Sequence, residues 1–80
     1  MTADATLKIG DLARLTGVSV PTIHFYLREG LLPPAPRKTS RNMAYYDPSY
    51  VTRIQLIRRL QDERRLPLRV IRSMMSELEA

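Results

Sequence analysis

The feature that most constrains this chain is a three-residue interruption, Gly17-Val18-Ser19, between two short stretches with helical spacing. Before it, Leu7–Thr16 carries apolar residues at Leu7, Ile9, Leu12, Ala13 and Leu15. Ile9, Leu12 and Ala13 fall at i, i+3 and i+4, one face of a helix. Gly17 suits the position just past a helix, where the backbone turns left-handed. After it, Ser19 offers an N-cap, and Pro21 sits in a first turn, where a missing N–H costs nothing. A second helix is predicted over about 19–29, ended by Gly30. Two short helices about such a turn form a helix-turn-helix, in which the second helix can lie in a DNA groove. The spacing alone also suits small helical domains with no such role.

The rest of the chain adds parts around this pair. Pro33, Pro34 and Pro36 forbid a helix after Gly30. Arg37–Thr39 and Met43–Tyr46 are expected as two short strands, with Ser40–Asn42 as their turn. A two-stranded hairpin is rarely stable alone, so it must lean on the helices as a wing over about 36–46. Asp47 is a candidate N-cap for a third helix, with Pro48 at its first position and Val51, Ile54, Ile57 and Leu60 as its stripe. Pro67 marks the start of a fourth, with Leu68, Ile71, Met75 and Leu78 on one face and the chain ending while it still runs.

Composition narrows the function. The formal net charge is +5 over 80 residues. Lys8, Arg14 and Arg28 cancel Asp4, Asp11 and Glu29, so the excess lies in residues 31–80. Most of those bases are Arg, which suits bidentate contact with phosphates and base edges, although basic charge also fits an acidic protein or membrane. There is no cysteine and a single histidine, His24. That set cannot build a disulfide or a zinc site, and no carboxylate pair with a base suggests catalysis. No enzyme activity and no cofactor are expected. The polar N-terminus has no apolar core of a signal peptide, and no run reaches the roughly 20 residues of a membrane helix. A cytoplasmic protein associated with the nucleoid is expected.

The order of parts resembles the N-terminal DNA-binding domain of the MerR family of bacterial transcription regulators. The resemblance runs over about residues 7–78. It rests on Ile9-Gly10 with Leu12-Ala13, Gly17-Val18-Ser19, Thr22-Ile23, Phe25-Tyr26, Glu29-Gly30-Leu31-Leu32-Pro33-Pro34, Tyr46-Asp47 and Ile57-Arg58-Arg59-Leu60. It implies a mainly α fold: a winged helix-turn-helix of four helices with a two-stranded β-hairpin wing. It also implies a homodimer on double-stranded promoter or operator DNA, joined by a long helix that would lie beyond residue 80, followed by an effector region. The expected layout is a disordered lead over 1–6 and the DNA-binding domain over 7–80. This chain departs from the pattern in places. His24 stands where the family usually has Arg, Phe25 where it has Tyr, and Leu27 where it has an acid. Asn42-Met43-Ala44 replaces a usual Gly-Tyr-Arg, and Arg64-Arg65-Leu66-Pro67 replaces a Gly and an N-cap Ser.

Helical geometry divides the second helix into two stripes. Ile23, Tyr26, Leu27 and Gly30 should face the core, leaving Pro21, His24, Phe25 and Arg28 outward. An exposed Phe beside His and Arg calls for a cover, and DNA would supply one. The expected DNA contacts are therefore Ser19, Pro21, Thr22, His24, Phe25 and Arg28, with Arg37, Lys38 and Arg41 from the wing. Tyr26, mainly a core residue, could still reach a phosphate through its hydroxyl, and Arg58 could clamp the backbone from the third helix. Two other readings remain at this level: a DNA-bending excision or recombination accessory factor, and a basic adaptor for an acidic protein or membrane surface. The adaptor reading needs a helix with a free apolar face.

Overall fold

The computed structural model describes residues 6–35, 37–40 and 43–79. The elements run α1 (Ile9–Thr16), α2 (Val20–Arg28), β1 (Arg37–Ser40), β2 (Met43–Tyr45), α3 (Ser49–Asp62) and α4 (Leu68–Glu79). The architecture is mainly helical, with α1 packed on both α2 and α3, and α4 packed on α3. Of the expected lead, only Thr6 lies within the described residues.

Local chemistry sets each boundary. The helix expected from Leu7 starts instead at Ile9, because the Asp11 carboxylate accepts the Lys8 N–H at 2.9 Å and fixes Lys8 in an extended conformation. Leu7 is thereby freed to pair antiparallel with Tyr46, exchanging N–H···O bonds of 2.9 and 2.7 Å. At the other end of α1, Gly17 takes φ 74°, and the Thr16 hydroxyl donates to the Leu12 carbonyl while accepting the Val18 N–H. Ser19 then caps α2, its Oγ accepting the Thr22 N–H at 3.3 Å. Such a cap typically contributes about 1 kcal/mol.

The end of α2 is closed by a glycine motif. Gly30 adopts φ 75°, its N–H donates to the Leu27 carbonyl, and the Leu31 N–H reaches back to the Tyr26 carbonyl at 2.9 Å. The reversal turns Leu31 and Leu32 into the core, at 1% and 3% exposure. β1 and β2 pair antiparallel, Arg37 opposite Tyr45 and Lys38 opposite Ala44, with an irregularity between Lys38 and Ser40. The expected turn residues Arg41 and Asn42 lie outside the described residues. Asp47 caps α3 from one residue further back than expected. Its carboxylate accepts the Ser49 N–H at 2.9 Å and also the Ser49 hydroxyl.

The core gathers Leu12, Ile23, Tyr26, Leu31, Ile54, Ile57, Ile71 and Met75. On α3 the expected Val51 is only half-buried, and Tyr50 takes its place. A strict three-residue spacing rotates about 60° around a helix at each step, so the first member drifts off the face, whereas Tyr50 lies four residues before Ile54. On α4, Ile71 and Met75 are buried, but the expected Leu78 is 59% exposed and Met74 40%. The core uses the buried stripe of α3, Tyr50, Ile54, Ile57 and Leu60. That stripe is therefore not free to serve as an adaptor's docking face. Among the described residues, no helix is long and apolar enough to cross a membrane.

Candidate nucleic-acid interface

Three segments far apart in sequence meet around His24. The imidazole side chain is exposed on α2 and lines an open groove of about 380 Å³ with Lys8, Ile9, Gly10 and Asp11 from the start of α1, Met43 and Ala44 from β2, and Tyr46 just after it. Helix, helix start and strand thus border one surface. Asp11 stays partly open to solvent, and the Lys8 N–H together with the Arg14 guanidinium holds its carboxyl below the usual range. The Arg14–Asp11 pair spans 3.0 Å within α1.

The outward stripe of α2 is only partly as expected. Pro21, His24 and Arg28 are exposed. Phe25 is not: it is half-buried and packs against the core, with the Arg28 guanidinium 6.0 Å from its ring centroid. The protein itself thus covers part of the ring. Tyr26 lies in the core, as its stripe implies, but its hydroxyl is already engaged within the protein. It is 1% exposed, and its hydroxyl donates to Gln61 Oε1 of α3 at 2.8 Å, so it joins two helices rather than facing a ligand. Burial raises its pKa, which keeps the hydroxyl a donor. Ser19 is exposed and Thr22 half-buried, and their hydroxyls lie 2.9 Å apart at the helix start.

Arg37 and Lys38 stand in β1, and Arg41 lies outside the described residues. Arg58 is exposed on α3, where it pairs with Asp62 one turn on at 3.3 Å. A surface pair of this kind contributes at most about 1 kcal/mol, so it leaves the guanidinium available for exchange with another anion. Below the α2 terminus a second groove of about 450 Å³ is lined by Leu27, Arg28, Gly30, Leu32, Pro34, Ala35 and Tyr46. Tyr46 borders both grooves, and its ring meets that of Tyr50 edge to face at a 4.9 Å centroid distance. The Tyr50 hydroxyl bridges the Pro33 and Pro34 carbonyls at 2.8 and 2.7 Å, anchoring the segment that leads to β1.

Sequence reasoning did not place Lys8, Asp11, Met43, Ala44 or Tyr46 beside His24. No local spacing signals that neighbourhood, because the Leu7–Tyr46 pairing creates it. Among the described residues, no group of three or more His, Cys, Asp or Glu is arranged to hold a metal ion.

A family model described as MerR HTH family regulatory protein matches residues 7–78. An HTH-type transcriptional regulator ZntR homolog of Haemophilus influenzae is 41% identical over 51 residues, covering 64% of this chain and 37% of that protein. Mercuric resistance operon regulatory proteins of Bacillus cereus and Serratia marcescens are 38% and 42% identical over 55 residues. Each covers 69% of this chain, which spans 41% and 38% of their respective lengths.

Proposed function

The chain belongs to the MerR HTH family, and from that premise we propose that it is the sequence-specific, double-stranded DNA-binding unit of a transcription regulator. In this reading α2 lies in the major groove, while β1 and β2 form a hairpin wing against the backbone or minor groove. The observation that carries it is the shared groove, in which exposed His24 of α2 and Met43 and Ala44 of β2 border one surface. A helix and a strand pair presented together can follow a duplex across adjacent grooves.

Each side chain then takes a distinct task. The start of α2 offers N–H groups and a positive dipole end to a phosphate, with Ser19 and Thr22 beside it. Pro21 fixes the backbone of that turn at the DNA surface. His24 meets a base edge, and Arg28 a phosphate, steadied by its place over the half-buried Phe25. Arg37, Lys38 and Arg41 supply phosphate contacts from the wing, and Arg58 exchanges Asp62 for the backbone. The functional protein is a homodimer on a pseudo-palindromic site, each copy occupying one half-site.

Titration of the chain against duplexes from upstream of its own gene, with scrambled duplexes as control, tests this reading. A preference that persists across salt concentrations is expected. Equal affinity for both duplexes at every salt concentration overturns it. His24→Ala should alter which sequences are preferred. Arg28→Ala should weaken all duplexes alike and lower the salt slope by about one.

A further inference from the structure

We propose that Arg72 is a positioning residue for DNA reading: from α4 it holds the C-terminal end of α2 and so sets the pose of that helix. The inference rests on the reading of α2 given above. Its basis is a contact across 43 positions of sequence, in which Arg72 Nη1 donates to the Glu29 carbonyl at 3.1 Å. The glycine motif ending α2 already engages the carbonyls of Phe25, Tyr26 and Leu27 through the N–H groups of Glu29, Leu31 and Gly30. The carbonyl of Glu29, just beyond them, is met by a cation from another element. A guanidinium there also complements the negative end of the helix dipole.

The approach is close. A Cβ on Gly30 would lie 3.5 Å from Arg72 Cδ, so the arginine stem runs directly along the left-handed residue that ends α2. A second tether, Tyr26 to Gln61, holds the same half of α2 to α3. The N-terminal half carries exposed Pro21, and exposed His24 stands at the midpoint of the helix. A nine-residue helix is about 13 Å long. A tilt of about 10° at the held end therefore moves the first turn by about 2 Å and His24 by about 1 Å, enough to stretch a base hydrogen bond out of range. Arg58 offers a contrast, since its partner Asp62 is on its own helix and ties nothing across the fold.

The experiment uses the 80-residue chain and two probes: the duplex it enriches from a random-sequence pool, and a scrambled duplex of the same composition. Arg72 is exposed, so its replacement leaves the core intact, which circular dichroism checks. Arg72→Ala should weaken the enriched duplex roughly fivefold, the scale of one solvent-facing charged hydrogen bond. The scrambled duplex and the salt slope should be unchanged. Arg72→Lys, still a cationic donor, should recover most of the lost preference. Without DNA, amide exchange at Glu29, Gly30 and Leu31 should quicken in Arg72→Ala relative to α1. An equal loss on both duplexes with a salt slope lower by about one would mean that Arg72 touches phosphate directly, overturning the positioning role. An unchanged preference with unchanged exchange overturns it too. If the wild-type chain itself enriches no duplex, the DNA-reading proposal fails, and this one with it.

Discussion

The Tyr50 hydroxyl joins α3 to the proline run through two carbonyls, Pro33 and Pro34, while the residue as a whole is 2% exposed. Burial, then the charge of Asp47 and the neighbouring Tyr46, push its pKa up to about 12. A phenol whose folded pKa is raised contributes fully below its unfolded value of about 10, and the contribution is lost as pH climbs through the folded value. Stability should therefore fall between about pH 10 and 12. Tyr50→Phe should cost about 1–2 kcal/mol at pH 8 by leaving the carbonyls without their donor, and should flatten that alkaline fall. Tyr26 and Tyr46, also shifted upward by burial, retain a smaller slope. Urea midpoints at pH 8, 10 and 11 for both proteins measure the difference. An identical alkaline slope in the variant would remove Tyr50 from the account. His24 shows the same dependence on context at the site. Its outward direction follows from helical period, but its neighbours Lys8 and Met43 come from the tertiary fold.

Among the elements, the turn between α3 and α4 departs from the usual chemistry of a helix end. Arg65 adopts φ 53°, the one non-glycine residue with positive φ among those described. A side chain there crowds the following carbonyl, a cost glycine avoids. Glycine also adds freedom to the unfolded chain, which offsets part of the gain. Arg65→Gly should raise stability by about 0.5–1 kcal/mol, read as a higher urea midpoint with unchanged slope. A lower midpoint would mean that the arginine side chain contributes more than its backbone strain. The helices themselves are legible from sequence, since Gly17, Ser19, Gly30 and Pro67 punctuate them through local chemistry. Leu7 reads as helical by spacing, yet its strand partner Tyr46 lies far along the chain and leaves no local trace. Val51 falls off the core stripe because a three-residue spacing only approximates the helical repeat.

At the scale of the whole molecule, the faces of α2 are readable in the sequence but their covers are not. Phe25 and Tyr26 both carry aromatic rings next to the exposed stripe, and only the packed fold assigns one to a cover under Arg28 and the other to Gln61. Arg72 has no signal at all, because its role exists only where α4 meets the end of α2. The pairing of Leu7 with Tyr46 has a consequence in time as well as in space. It closes a loop that contains α1, α2 and both strands. Bringing distant ends together costs chain entropy that only the finished contacts repay, so local helices form before this closure. Leu7→Pro, which deletes one of the two donors, should therefore speed unfolding several-fold and leave the refolding rate nearly constant in stopped-flow measurements. A matching slowdown in refolding would place the closure in the folding nucleus instead. A contact that forms late on folding is released early when the chain opens, so the groove around His24 is expected to dissolve before the helices that border it.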